Sequence, residues 1–194
     1  MHKLLLDIPT RIETERLYLR AYQAGDGPWY HALSQKNKAH LARYESDNPV
    51  MTIHSVEEAE IVMRDFAVSW TARNAFFMGA FLRDTQEFVA QIYIGVVNWD
   101  LPEFELGYFA NVDHEGRGYV TEASKGALDF MFTHLGAYRV RLMCDDTNLR
   151  SARVAERCRM LQEAHIRENH KHADGSVSGT LQYGILKSEW LLQK

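Results

Sequence analysis

The spacing of apolar positions along the chain changes several times, and each change marks an element. Leu17 and Leu19 alternate with Arg16, Tyr18 and Arg20, a period of two that predicts a strand over residues 16–20. Gly25 and Gly27 then mark a turn, and a polar helix is expected over about residues 28–44. Ser55 followed by Glu58 has the pattern of a capping box. Ala59, Val62, Met63, Phe66 and Trp70 then recur at helical spacing, so an amphipathic helix should end near Arg73 with its aromatic residues in the core. Strands are expected at residues 75–83 and 87–98, joined as a hairpin through Asp84-Thr85-Gln86. A second hairpin leads to a strand over residues 103–112, in which Gly107 signals a bulge or a close approach.

Beyond residue 119 the period returns to that of a helix. Ala123, Ala127, Met131 and Leu135 share one face, and Gly136 is a suitable stop. A strand at residues 138–144 follows, and then a short helix from near Asn148 with Leu149, Ala152, Ala155 and Cys158 on one side. Strands near residues 162–169 and 180–186 turn at Asp174-Gly175. Antiparallel hairpins followed by a strand–helix–strand crossover predict an α/β (α+β) fold, a mixed and largely antiparallel sheet flanked by helices. A length of 194 residues suits one domain.

Composition narrows the function classes. Lys plus Arg is 22 and Asp plus Glu is 26, so the formal charge is −4, without the basic excess of a nucleic-acid binder. Arg139, Arg141, Arg150, Arg153, Arg157 and Arg159 do cluster, as a solvated face or as part of an anion site. Cys144 and Cys158 form no Cys-x-x-Cys pair and read as apolar fillers of a reducing compartment. No apolar run nears the roughly 20 residues of a membrane span, and Leu4-Leu5-Leu6 meets Asp7 at once, so a cytoplasmic location and no membrane partner are expected. The nine histidines show no metal-ligand spacing. His170 and His172 read as part of a solvated loop, and no metal is expected.

Candidate chemistry lies at Gly116-Arg117-Gly118, between a strand and a helix. Two glycines allow successive N–H groups to turn toward one point, and the helix that follows adds unpaired N–H groups and partial positive charge. This suits a phosphate or pyrophosphate. It is neither a nucleotide P-loop, lacking Gly-Lys-Ser/Thr, nor a dinucleotide fingerprint, since Thr121 stands at the third glycine's place.

The segment Gly116-Arg117-Gly118-Tyr119-Val120-Thr121-Glu122-Ala123 resembles the coenzyme A pyrophosphate loop of the GNAT superfamily. Ile12-Glu13-Thr14-Glu15-Arg16-Leu17-Tyr18-Leu19-Arg20 is similar to the opening strand of its subgroup of ribosomal-protein N-terminal acetyltransferases (RimJ/RimL-like). Glu105-Leu106-Gly107-Tyr108-Phe109, the Asn148-x-x-Ser151 helix start, Asp174-Gly175 and Leu186-Lys187-Ser188-Glu189-Trp190 follow in family order, from about residue 12 to 190.

The resemblance implies an N-acetyltransferase that uses acetyl-coenzyme A and a primary amine, a protein N-terminus or a small molecule. The coenzyme would lie in a gap between two splayed strands. Ala110, Asn111 and Val112 would contact the pantetheine arm, with one N–H holding the thioester oxygen. Gly116, Arg117, Gly118, Tyr119, Val120 and Thr121 would hold the pyrophosphate. Glu105 is the leading candidate for the base that takes the amine's proton, with Glu103 in reserve. Many family members place a tyrosine on the helix after the Asn motif as donor to the departing thiolate. Val154 to Cys158 contains none, so Ser151 takes that role unless it only caps the helix. Asn148 would fix the coenzyme or cap that helix.

Three positions depart from the family pattern: Asp113 near the cradle, Arg159-Met160 where Gly-Phe usually stands, and no acid soon after Asp174-Gly175. They leave room for a non-catalytic acyl-coenzyme A binding module or a small-molecule amine acetyltransferase. Edge strands and abundant aromatic residues leave a homodimer open.

Overall fold

The computed structural model describes residues 2–172 and 174–192. In chain order these form β1 (Arg11–Glu13), β2 (Leu17–Ala21), α1 (Gly27–Leu41), α2 (Val56–Ala72), β3 (Ala75–Leu82), β4 (Phe88–Asn98), β5 (Glu103–Ala110), α3 (Tyr119–Thr133), β6 (Arg139–Asp145), α4 (Leu149–Arg157), β7 (Leu161–Lys171), β8 (Val177–Leu186) and α5 (Lys187–Leu191). The strands make one sheet in the order β1-β2-β3-β4-β5-β6-β8-β7. Every neighbouring pair is antiparallel except β5 and β6. That pair is joined through α3, and the crossover gives the expected mixed sheet. No helix among the described residues is long and apolar enough to cross a membrane.

Local signals set several boundaries. Ser55 caps α2 by accepting the Glu58 N–H at 3.1 Å, and Glu58 returns a bond to the Ser55 N–H, also at 3.1 Å. The reciprocal bonds satisfy donors the first turn leaves orphaned. Ala59, Met63, Phe66 and Trp70 are buried, as the helical spacing requires. Ala123, Ala127, Met131 and Leu135 carry α3 onto the sheet, and Gly136 (φ 68) ends the segment in a left-handed conformation. Leu149 differs from the expected apolar side of α4, because in the first turn it stays exposed while Ala152, Ala155 and Cys158 go inside.

Two apolar cores result. One lies under α3, α4 and α5 and includes Leu19, Phe76, Ile92, Leu106, Met131 and Ile185. The other lies under α1 and α2 and includes Tyr30, Met63, Phe66 and Phe109. Gly107 separates strand from ring. It stands opposite Tyr93 in the β4–β5 register, and a Cβ there would lie 3.2 Å from Tyr93 Cδ1. The glycine therefore marks a close approach, and the register is regular at that point.

Arg159 shows how a departure from the family pattern is absorbed. Its φ is 57°, left-handed and costly for a residue with a Cβ by roughly 1–2 kcal/mol. The Met160 N–H bonds Ala155 O at 3.0 Å and the Arg159 N–H bonds Glu156 O at 2.8 Å, while Met160 is buried. These are the bonds and the apolar contact of a Schellman ending. The helix keeps the usual terminus without the usual glycine.

Candidate active site

The chemistry is centred where β5 and β6 separate. They pair for only three residues, Glu103 with Arg139, Phe104 with Val140 and Glu105 with Arg141. Beyond that, β5 stays bonded to β4 as far as Ala110 and β6 stays bonded to β8 as far as Asp145. Each strand follows its own half-sheet, and sheet twist carries the two apart. The opening encloses about 570 Å³.

The coenzyme-side expectations lie just past Phe109, the last residue of β5 that lines this opening. The Asn111 N–H bonds Val89 O at 2.9 Å, so alternate N–H groups of β5 face β4, and those of Tyr108 and Ala110 face the opening. Asn111 and Val112 are tied inward. The Asn111 amide donates to Phe88 O at 3.0 Å, and the Val112 N–H donates to Asn37 Oδ1 at 2.9 Å. Of these three residues, only Ala110 turns its N–H toward the opening.

The cradle follows. Gly116 (φ 72) and Gly118 (φ 81) are both left-handed, the conformation that glycine adopts without steric cost. Among the described residues, no backbone N–H of Gly116, Arg117, Gly118, Tyr119, Val120 or Thr121 donates to a protein acceptor. The Glu122 N–H is the first to find one, Gly118 O at 3.0 Å. Six unpartnered donors at the start of a 15-residue helix fit a pyrophosphate. Glu122 fixes the cradle from beneath, accepting from Thr14 Oγ1 at 2.6 Å and from the Arg16 N–H and Nε at 2.7 and 2.6 Å. Burial works against the charged form of its carboxyl, but these bonds win and hold it below the usual range. Arg16 also spans the Tyr119 ring and reaches Arg117 O. Asp113 does not stand against the cradle as a lone charge, because it is ion-paired with Lys36. Glu115 likewise faces Arg150 at 2.7 Å and His40 at 3.4 Å.

At the opening's end, Asn148 caps α4 by accepting the Ser151 N–H at 3.2 Å. Tyr108 reaches Ser151 from the facing strand. Its hydroxyl donates to Ser151 O at 2.9 Å and lies 3.1 Å from Ser151 Oγ. Burial pushes the phenol well up, against the pull of Ser151, so it stays a neutral hydrogen-bonding group. Nothing in the local sequence singled out Tyr108, although its period-two relation to Leu106 places it on the α4 face. Cys144 beside it is pushed up by burial despite Ser151's hydroxyl, and buried Cys158 is pushed up to about 12. Both thiols therefore stay protonated near neutral pH.

The other wall belongs to the α1–α2 side. Glu105 lines it, with Arg141 Nε and Nη2 on its Oε2 at 2.9 and 2.8 Å. Glu103 lies outside the opening, paired with Arg139 at 3.1 Å, and Arg139 also holds Glu163. Of the clustered arginines, Arg139, Arg141 and Arg150 are thus taken up in ion pairs. Gln91 and Tyr93 form the floor, with residues 43–49 of the α1–α2 connection above them.

His172 corrects the expectation of a solvated loop. Its side chain is 9% exposed, 2.8 Å from Ser178 Oγ and 3.0 Å from Asp145, while Ser178 Oγ also bonds Asp145. Burial opposes the charged form of Asp145, but bonds from Ser178 and Thr147 outweigh it and depress its pKa. Among the described residues no group of three or more His, Cys, Asp or Glu is placed to hold a metal.

A splayed strand pair that runs into a donor-lined helix start is the frame of an acyl-coenzyme A site, and the comparisons agree. The sequence profile of the acetyltransferase (GNAT) domain matches residues 16–161. The chain belongs to the GNAT acetyltransferase family, whose members are acetyl-coenzyme A-dependent acyltransferases. It is 23% identical to spermidine N(1)-acetyltransferase of Vibrio cholerae, over 91% of this chain and 96% of that one. Its fold is similar to ribosomal-protein-S5-alanine acetyltransferase from Vibrio fischeri (TM-score 0.81, 15% identity, 94% and 99% coverage). It is also similar to Mycobacterium smegmatis RimJ in complex with a coenzyme A disulfide (TM-score 0.80, 20% identity, 100% and 97% coverage).

Proposed function

We propose that this protein transfers an acetyl group from acetyl-coenzyme A to a primary amine, with a protein N-terminal amine as the first candidate acceptor. The observation that carries this reading is the continuity of the opening. The opening is lined by Ser151 and Tyr108 on one side and Glu105 on the other, and β5, which forms its edge, leads on through Ala110 to the unpartnered N–H groups at residues 116–121. Acetyl-coenzyme A supplies an activated acyl carbon when bound.

The chain's own groups divide the remaining work. Residues 116–121 hold the pyrophosphate, and the N–H groups of Tyr108 and Ala110 face the pantetheine and acyl region. Glu105 takes a proton from the acceptor nitrogen, directly or through water, as the nitrogen–carbon bond forms. Ser151 Oγ hydrogen-bonds the sulfur as the carbon–sulfur bond breaks, and Tyr108 orients that hydroxyl. The acceptor loses one proton and gains the acetyl group, and the sulfur leaves as a thiol once protonated. Asn148 holds Ser151 in place through the cap.

Calorimetric titration with acetyl-coenzyme A tests the reading. Saturable binding by the native chain is expected, weakened at least about tenfold in Gly118→Val, since a β-branched residue cannot hold φ 81 without strain. Thiol release on adding a panel of primary amines should follow. No binding by the native chain at millimolar ligand would sink the proposal.

A further inference from the structure

The carboxylates that line the opening are not equivalent. Glu105 is held by Arg141, and Asp145 by His172, Ser178 and Thr147. Asp47 stays in solvent. Glu45 is different. It sits just beyond α1 in a fixed turn, its N–H on Leu41 O at 2.8 Å and its O accepting the Asn48 N–H at 3.0 Å. Its carboxylate is half-buried and bonded to Asn48 Nδ2 at 3.2 Å, and among the described residues no Lys, Arg or His forms an ion pair with it. The guanidinium of Arg43, which lines the same opening, lies over the Tyr44 ring.

A half-buried carboxylate without a counter-ion is unfavourable. The strain shows in the group itself: burial pushes the Glu45 carboxyl up, and the Asn48 bond offsets only part of this. Glu45 also lines the same opening as Tyr108, Ser151 and Glu105. A protein α-amine, with a pKa near 8, and a lysine or polyamine amine, near 10.4, reach the enzyme mainly as ammonium ions at neutral pH. Each brings three N–H donors and the missing positive charge.

We propose that Glu45 is the counter-ion for the acceptor's ammonium group, so that the opening selects alkylammonium and α-ammonium acceptors over amines that are neutral in water. This rests on the transferase reading for the reaction but not for the binding. Glu45 receives the cation, which releases one proton to solvent, and Glu105 takes the second as the uncharged amine attacks. Glu45 is thus a specificity-determining residue on the α1–α2 connection, a segment far in sequence from the coenzyme loop.

The test compares the native chain with Glu45→Gln and Glu45→Lys, each saturated with coenzyme A. Spermidine and an alanine-terminated peptide serve as ammonium probes, and aniline as the neutral one. Binding is read by calorimetry and, with acetyl-coenzyme A, turnover by thiol release. Glu45→Gln should weaken ammonium-probe binding about 10- to 100-fold and Glu45→Lys further, with aniline little changed and acetyl-coenzyme A affinity intact. An unchanged thermal midpoint in Glu45→Gln confirms that the turn persists. Equal ammonium affinity or equal KM in native and Glu45→Gln chains overturns the proposal, as does failure of the native chain to bind either ammonium probe. Ammonium binding that depends on Glu45 without acetyl transfer upholds this site and overturns the transferase reading instead.

Discussion

The two walls of the proposed site, one for the coenzyme and one for the acceptor, are built in opposite ways. The coenzyme wall is local: Gly116, Gly118 and the first turn of α3 are consecutive, and their free N–H groups follow from two left-handed glycines and a helix start. The acceptor wall is assembled from distant pieces, namely Glu45 beyond α1, Gln91 and Tyr93 on β4, Glu105 on β5, Asp145 on β6 and His172 beyond β7. The first wall offers backbone donors, which any sequence supplies if the chain can adopt the shape. The second offers side-chain charges, most already paired. A backbone cradle suits a ligand part common to a whole family, whereas side chains can change from one chain to the next without disturbing the cradle. On the proposed reading, specificity therefore belongs to the second wall.

The strongest way to break this comparison is to remove the chemistry from each wall in turn. Glu105→Gln should lower kcat about 100- to 10,000-fold while acetyl-coenzyme A binds as before. Ser151→Ala should lower kcat about 100-fold, and adding Tyr108→Phe to it should cost little more, because the two hydroxyls act as one unit. Steady-state kinetics of both series check this. A full, additive loss in the Ser151/Tyr108 double variant would separate the hydroxyls.

A smaller effect concerns the charges that tie the acceptor wall together. The Asp145 pKa is depressed in the folded state, so its bonds stabilise the protein above the usual carboxylate value of 3.8 and that stability is lost as pH falls below it. Asp145→Asn should lower the melting temperature by about 3–10 °C at pH 7, a deficit that shrinks when both chains are melted near pH 3. His172, Ser178 and Thr147 are the partners that lose their acceptor.

The smallest expected effect lies away from both walls. Arg159→Gly should raise the melting temperature by about 2–4 °C, since glycine holds φ 57 without the side-chain penalty. Coenzyme affinity should not move.

Much of the frame was legible in the chain itself. The capping box at Ser55, the apolar faces of α2 and α3, the stop at Gly136 and the hairpins through Asp84 and Asp174 all act over a few residues, and the elements formed there with boundaries shifted by only a few positions. Shorter pieces were missed. Arg11–Glu13 is a three-residue strand that exists because β2 is available to pair with it, and α5 follows from Glu189 accepting the Leu186 N–H. The expected solvated loop at His172 failed because its partners are 27 and 6 residues away by chain numbering, Asp145 and Ser178.

The sequence by itself determined the period of each element, the left-handed glycines of the cradle and the serine at the start of α4. These depend on backbone sterics and on bonds between near neighbours. The tertiary structure alone decided where β5 and β6 part, that Lys36 neutralises Asp113, that Tyr108 meets Ser151 and that Glu45 is left without a cation. Those are outcomes of pairing between segments many residues apart. A carboxylate's role depends on which charges the fold brings beside it, and no local pattern records that.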